Sequence, residues 1–476
     1  MLSAMAFEPT RSQLRAVHAL SRLVGSEKHG ATLVINGFAG TGKTTLMRSF
    51  CEAASSASLP VVLLAPTGRA AKVLASYTGR KASTIHRVIY RQESASGLSF
   101  DLSFNKFRDA VFIVDEASMI GDEAVALTSG AGPRWGDGRL LRDLIEFVFS
   151  QDGCRLVLVG DPDQLPPVGL DSAPALNVDY LKGYGLTVGC VWLSDVVRQG
   201  GESFILKNAM SLRSLIEANA PAVELLPPIE SKEGSDVECV TGVGLLERIE
   251  DAFSRCGMAD TVVITRSNRR ATQYSIALRA QALYMEERLS KGDMLMVTRN
   301  NYLWAEKAGV DFIANGDIAE VVSINGYSEM SGLHFADVSI RLVDRGDVDI
   351  DCQIILDYLT ADVSVPDEET RLPVEVSTAE INKRIDAMAE ADYENYSNKA
   401  KKTSDMRKDP WVNALQVRYA YAMTCHKAQG GQWDTVFVDI GYVDETQSAT
   451  AIAKWLYTAM TRARKKLYLV NYARHK

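Results

Sequence analysis

The segment Gly37-Phe38-Ala39-Gly40-Thr41-Gly42-Lys43-Thr44 limits what this chain can fold into more than any other feature. It fits the pattern GxxxxGK[ST] and directly follows an apolar, β-branched run at Thr32–Ile35. A strand that ends in such a loop and passes into a helix offers backbone N–H groups and a helix dipole to phosphate. Lys43 is suited to neutralise β and γ phosphates and Thr44 to hold Mg²⁺ through its hydroxyl. Gly37, Gly40, Thr41, Gly42 and Thr45 complete the expected cradle. In a chain of 476 residues of average composition the pattern arises by chance about 0.02 times, so a mere glycine-rich turn is the weaker reading.

Three further apolar runs, Val61–Ala65, Val111–Val114 and Leu156–Val159, are spaced by helix-length segments, as parallel βαβ units require. A second set follows at Val262–Thr265, Val417–Tyr421, Val436–Ile440 and Leu467–Val470. The length suggests roughly three domains, and two α/β cores in tandem are expected. From Lys291 to Ala414 the pattern changes to short strand-like pieces with turn signals at Asn315-Gly316 and Asn325-Gly326. Inside it, Ser377-x-x-Glu380 reads as a capping box, with Ile381, Ile385 and Met388 following at helical spacing. The insertion therefore reads as a small β domain with a helical projection. A smaller insertion has alternating apolar residues (Val88 and Tyr90, then Leu98, Phe100, Leu102 and Phe104) on both sides of Ser94-Ala95-Ser96-Gly97, a β-hairpin pattern.

The net charge is -8, which by itself argues against a nucleic-acid partner. The distribution is uneven, however. Residues 367–396 carry nine acids and three bases, whereas the last fifteen residues carry six Lys or Arg and no acid. Phosphate contacts depend on local clusters, so an acidic total does not exclude DNA or RNA. The acidic stretch reads most simply as a solvated face. Seven scattered cysteines without CxxC spacing argue against a zinc site or disulfide framework and read as buried apolar residues. No run of about 20 apolar residues is present, so no membrane span is expected. The first residues do not read as a signal peptide, and a soluble, cytoplasmic protein is the expectation.

Asp115-Glu116 follows the third run and so stands at the C-terminal edge of a strand, where open α/β sheets bind ligands. One carboxylate there can hold Mg²⁺ while the other polarises a water. Gln164 follows the fourth run within Gly160-Asp-Pro-Asp-Gln-Leu-Pro-Pro-Val-Gly169 and is placed to sense a γ-phosphate; the alternative reading is that the glycines and prolines only build a tight turn. Near the N-terminus Thr10-Arg-Ser-Gln13 precedes a helix, and Gln13 can read an adenine edge through its amide, although so short a match has almost no specificity by itself.

Taken together, Gln13, GFAGTGKTT, Ala65-Pro-Thr-Gly-Arg-Ala-Ala71, Ser83-Thr-Ile-His86, Val114-Asp-Glu-Ala-Ser118 and GDPDQLPPVG resemble the ordered motifs of superfamily 1 DNA helicases. So do Val197-Arg-Gln199, Thr265-Arg-Ser-Asn268, Met423-Thr-Cys-His-Lys-Ala-Gln-Gly430 and Tyr457-Thr-Ala-Met-Thr-Arg-Ala-Arg464. The resemblance is to the RecD/Dda-like branch, superfamily 1B, over nearly the whole chain outside the insertions. It implies an ATP- and Mg²⁺-dependent motor moving 5′→3′ on single-stranded DNA and unwinding forked or tailed duplex. The cores would be RecA-like: residues 1–195, carrying a pin hairpin at 86–108, and residues 196–290 with 415–476. Residues 291–414 would form an SH3-like domain with a helical arm.

The resemblance also assigns roles. Arg198 and Arg462 match arginine-finger positions, and Gly430 a nucleotide-binding one. Pro66, Thr67 and His86 match strand-contacting positions of the first core, and Thr424, His426 and Lys427 those of the second. A lone histidine is more often structural, but both of these lie inside motifs. Phe100 or Leu98 would split the fork, with plain packing an equal reading for each. Gln164-Leu-Pro-Pro lacks the aromatic residue that 3′→5′ members use for base stacking, which favours 5′→3′ movement. The chain is expected to act as a monomer, with replication or repair proteins as partners and, in a bacterium or phage, on the nucleoid. Two other functions stay open: an ATPase that strips proteins from single strands, and a non-motor regulatory P-loop module.

Overall fold

A computed structural model describes residues 5, 8–92, 99–123, 134–135, 138–195, 203–218, 226–301, 303–309, 313–343, 348–366, 372–393, 401, 405–406, 408–443 and 448–472. The first nine strands in chain order are β1 (Ala31–Gly37), β2 (Val61–Ala65), β3 (Ala82–Thr84), β4 (Tyr90–Gln92), β5 (Ser99–Leu102), β6 (Val111–Val114), β7 (Arg134–Trp135), β8 (Arg155–Gly160) and β9 (Thr187–Leu193). Six of them form one sheet in the order β3-β2-β6-β8-β1-β9, parallel throughout. β1 and β6 are buried at every position, as strands covered on both faces by helices must be. Val34, Leu64, Phe112 and Leu158 pack on one face, and Leu33, Leu63, Ile113 and Val157 on the other.

The remaining three strands make a small separate sheet in which β5 pairs with β4 antiparallel and with β7 parallel. This sheet starts later than the alternation suggested. Val88 lies in the Ile85–Ile89 helix, because the Thr84 hydroxyl accepts from Arg87 N–H and caps that turn. Phe104 follows β5 and is exposed rather than packed. Leu98 and the turn of the hairpin lie outside the described residues.

The second half supplies β10 (Val237–Val240), β11 (Thr261–Thr265), β12 (Met294–Val297), β13 (Ile318–Met330), β14 (Leu333–Leu342), β15 (Asp349–Ile355), β16 (Ser364–Pro366), β17 (Pro373–Glu375), β18 (Leu415–Tyr419), β19 (Ala422–Thr424), β20 (Trp433–Asp439) and β21 (Ala463–Val470). A second parallel sheet runs β10-β21-β20-β11-β19. Between its strands, β12-β13-β14-β15-β18 close into a barrel. The run Val417–Tyr421, read from sequence as one strand of the second sheet, is therefore divided. Leu415–Tyr419 closes the barrel against β12 and β15, and only the following Ala422–Thr424 joins the parallel sheet. Both environments bury apolar residues, so hydrophobicity did not distinguish them.

The expected helical projection is the helix Thr378–Tyr393, whose start is fixed by Ser377 Oγ accepting from Glu380 N–H at 3.1 Å. Ile381, Ile385 and Met388 form its buried stripe and pack with Leu333, Phe335 and Tyr358 of the barrel region. Of the seven cysteines, Cys51, Cys154, Cys352 and Cys425 are buried, but Cys190 and Cys239 are exposed. Among the described residues no helix is long and apolar enough to cross a membrane.

Candidate nucleotide site and strand-facing edge

The glycine-rich loop leaves β1 and enters the helix Lys43–Ser56. Gly40 and Gly42 sit at φ 80° and 79°, a backbone region that side-chain-bearing residues avoid. A Cβ on Gly37 would lie 3.0 Å from both Lys43 Cγ and Thr41 Oγ1. Lys43 Nζ donates to the carbonyls of Gly37 at 2.7 Å and Phe38 at 3.0 Å, so its ammonium is held over the loop. The N-terminus of the following helix opens on a cavity of about 400 Å³ lined from both cores. The first core contributes Gln13, Gly40, Gly42, Lys43, Thr44, Thr45, Asp115, Glu116 and Gln164, and the second contributes Gly430 and Arg462.

Asp115 follows β6 at the sheet's C-terminal edge and accepts Glu116 N–H on Oδ1 at 2.9 Å. Glu116 itself is in the left-handed region, φ 53°, a strained conformation that tends to occur where function requires it. Burial, reinforced by the Glu116 charge, raises Asp115 to about 6, with Lys43 opposing the shift. Two partly buried carboxylates lining the same cavity as the Thr44 hydroxyl are a hard-oxygen set, suited to a small divalent cation. Gln164 is buried, and its Oε1 has no partner among the described residues. Arg462 is 4% exposed and is held by the carbonyls of Thr458 (Nε, 3.0 Å) and Gly431 (Nη1, 3.4 Å) and by Thr461 Oγ1.

Some expected residues behave differently. Thr41 and Gly37 do not line the cavity; Thr41 is fully buried, with Oγ1 donating to the Phe38 carbonyl. Gln13 lines the cavity, yet both ends of its amide are already engaged. Oε1 accepts from Thr10 N–H at 3.0 Å, and Nε2 donates to the Thr41 carbonyl at 3.2 Å. It therefore also props the phosphate loop. Arg198 lies outside the described residues. The sequence reading missed Phe38, whose ring stacks under the Arg213 guanidinium of the second core at 3.0 Å. It also missed Ile205, Leu206 and Ala209, which line the cavity from the helix Phe204–Ala218. They are ordinary apolar helix residues and carry no local signal of their own.

The candidate strand contacts fall at the C-terminal edges of the two sheets. Pro66 and Thr67 follow β2, and His86 follows β3. Thr424 ends β19, and His426 and Lys427 lie in the short turn after it. The second-core segment that follows Lys427 approaches the first set, since a Cβ on Gly430 would come within 3.5 Å of Thr67 Oγ1. Burial lowers His86 to about 4 and also lowers His426, so neutral imidazole is favoured over the cation. Lys427 is lowered to about 8, by burial first and the Arg418 charge second, and stays mostly protonated near neutrality. Phe100 stands apart from these residues, in the small sheet, where its backbone pairs with Gln92.

Two parallel-sheet cores facing one cavity, with a glycine-rich phosphate loop on one and a buried arginine on the other, define a two-core P-loop nucleotide-binding protein. Residues 22–170 match the family model described as an AAA domain, and residues 419–470 match the UvrD-like helicase C-terminal domain. The chain is 24% identical over 453 residues to the ATP-dependent RecD2 DNA helicase of Deinococcus radiodurans, covering 92% of this chain and 46% of that one. It is 28% identical over 188 residues to the ATP-dependent DNA helicase dda of Enterobacteria phage T4, covering 37% and 36% of the two chains. The fold aligns with a Pif1 helicase from Bacteroides in complex with ADP-AlF3 and ssDNA at a TM-score of 0.47 and 14% identity, over 99% of this chain and 94% of that one. The chain is thus similar in sequence to the RecD2 and Dda DNA helicases and, over 32% of its length, to a RecBCD enzyme subunit RecD. Each of these sequence matches spans less than half of the relative's length.

Proposed function

We propose that this chain is an ATP- and Mg²⁺-dependent motor that moves 5′→3′ on single-stranded DNA and unwinds duplex DNA. The observation that carries the reading is the shared cavity: Lys43, Asp115 and Glu116 line it from the first core and Arg462 from the second. In such a site Lys43 and the loop amides hold the phosphates, and Glu116 orients and deprotonates the attacking water. Gln164 senses the γ-phosphate. Arg462, with Arg198 as its motif partner, stabilises charge that develops on the transferred phosphoryl group, so full activity requires closed cores. Thr44 Oγ1 and Asp115 would hold Mg²⁺, which supplies charge neutralisation at the phosphates when bound.

Closing and reopening of the cores would move Pro66, Thr67 and His86 relative to Thr424, His426 and Lys427, and so step the chain along a strand. These groups suit phosphate contacts, which position a strand without reading its sequence. The small sheet containing Phe100 would act as the pin at the fork, and the barrel with its helix as an SH3-like domain and arm. Unwinding of duplexes with a single 5′ or 3′ tail tests the direction. The reading expects strand separation from the 5′-tailed substrate, and preference for the 3′ tail would reverse the assigned polarity.

A further inference from the structure

We infer that Tyr457 is a positioning residue that carries the approach of the second core to the phosphate loop and to the loop bearing Gln164. The inference rests on the motor reading above and assigns a role to a residue outside the usual nucleotide contacts. Tyr457 lies in the second-core helix Ala449–Met460 and is 1% exposed. Its hydroxyl crosses to the first core and makes two bonds there. It accepts from Ala39 N–H at 3.0 Å and donates to Asp161 Oδ2 at 2.6 Å. Ala39 belongs to the glycine-rich loop, and Asp161 follows β8 three residues before Gln164.

A phenol hydroxyl both donates and accepts, so one atom can tie these two loops together. Burial and the adjacent Asp161 charge keep the hydroxyl protonated and hence a donor. The neighbouring residue strengthens the same grip, because Thr458 Oγ1 accepts from Leu165 N–H at 2.8 Å. Gln429, two residues after Lys427, donates to the Leu165 carbonyl at 2.8 Å. The Asp161–Leu165 loop is thus held from the second core by the segment carrying Arg462 and by the segment carrying the candidate strand contacts. Separating the cores breaks both Tyr457 bonds and exchanges them for bonds to water, whereas closing the cores restores both at once.

Tyr457→Phe keeps the ring and removes only the hydroxyl. We expect the kcat of DNA-stimulated ATP hydrolysis to fall about tenfold while KM for ATP stays within about twofold. A variant with unchanged kcat, whatever its melting temperature, would reduce Tyr457 to a structural tie and overturn the inference. Should Tyr457→Phe fail to fold, Asp161→Asn weakens the same bond, and an unchanged kcat in that variant would be equally contrary. If the wild-type chain shows no DNA-stimulated turnover, the motor reading fails separately. Tyr457 is then tested with a dye pair, one dye on each core, and a non-hydrolysable ATP analogue. Closure in the wild type that is lost in Tyr457→Phe supports the inference, and identical behaviour of the two proteins overturns it.

Discussion

Arg279 and Asp293 form a buried two-pronged ion pair, Nε to Oδ1 and Nη2 to Oδ2, both at 2.7 Å. Arg279 lies on the second-core helix Asn268–Gln281, and Asp293 immediately precedes the first barrel strand. The Tyr421 hydroxyl also donates to Asp293, the Ser290 N–H caps its other oxygen, and the Tyr419 ring lies 4.4 Å from the guanidinium. The pair fastens the barrel to the core where the chain leaves one for the other. Removing one partner strands a buried charge, so Asp293→Ala should cost about 3–5 kcal/mol. Denaturant unfolding measures this, and a loss below about 1 kcal/mol would place the pair among ordinary surface bridges.

Three substitutions separate binding from chemistry at the cavity. Lys43→Ala should abolish hydrolysis while leaving strand binding measurable. Glu116→Gln should bind ATP and accumulate the closed form, with turnover reduced by at least about 100-fold. Arg462→Ala should retain ATP binding but lose about 10³-fold in kcat, the scale reported for arginine fingers. Nucleotide titration beside steady-state hydrolysis distinguishes the three, and normal turnover by Glu116→Gln would remove Glu116 from the role of base.

Much of the site was legible in sequence because it consists of local signals. A glycine pair at positive φ and a lysine fall within eight residues directly after a strand, so Gly40, Gly42, Lys43 and Thr44 could be placed without tertiary information. The same holds for Asp115 and Glu116 after an apolar run. Contacts made between cores leave no such trace. The Arg213–Phe38 stack joins residues far apart in the chain, and nothing near either one announces it. Thr187–Leu193 was missed as an edge strand of the first sheet because Gly189 and several exposed positions interrupt its apolar pattern. Val88 shows the opposite failure, in which a Thr84 cap outweighed an alternation that read as strand.

Strand affinity should depend on pH through Lys427, which is lowered to about 8 by burial. Phosphate binding requires the protonated ammonium, so affinity is present below that value and is lost as pH rises through it. Oligonucleotide binding measured from pH 7 to 9.5 at fixed ionic strength should weaken, and Lys427→Arg should flatten the profile, since arginine keeps its charge. A profile identical in the two proteins would take Lys427 out of the strand contact.

The central claim is that hydrolysis in the two-core cavity is coupled to a nucleic-acid strand. Its most direct test is the rate of ATP hydrolysis with and without single-stranded DNA at low salt, with a non-nucleic polyanion as control. The account predicts strong stimulation by DNA and none by the polyanion. Intact ATP binding with a rate indifferent to DNA would contradict it and favour a regulatory P-loop module.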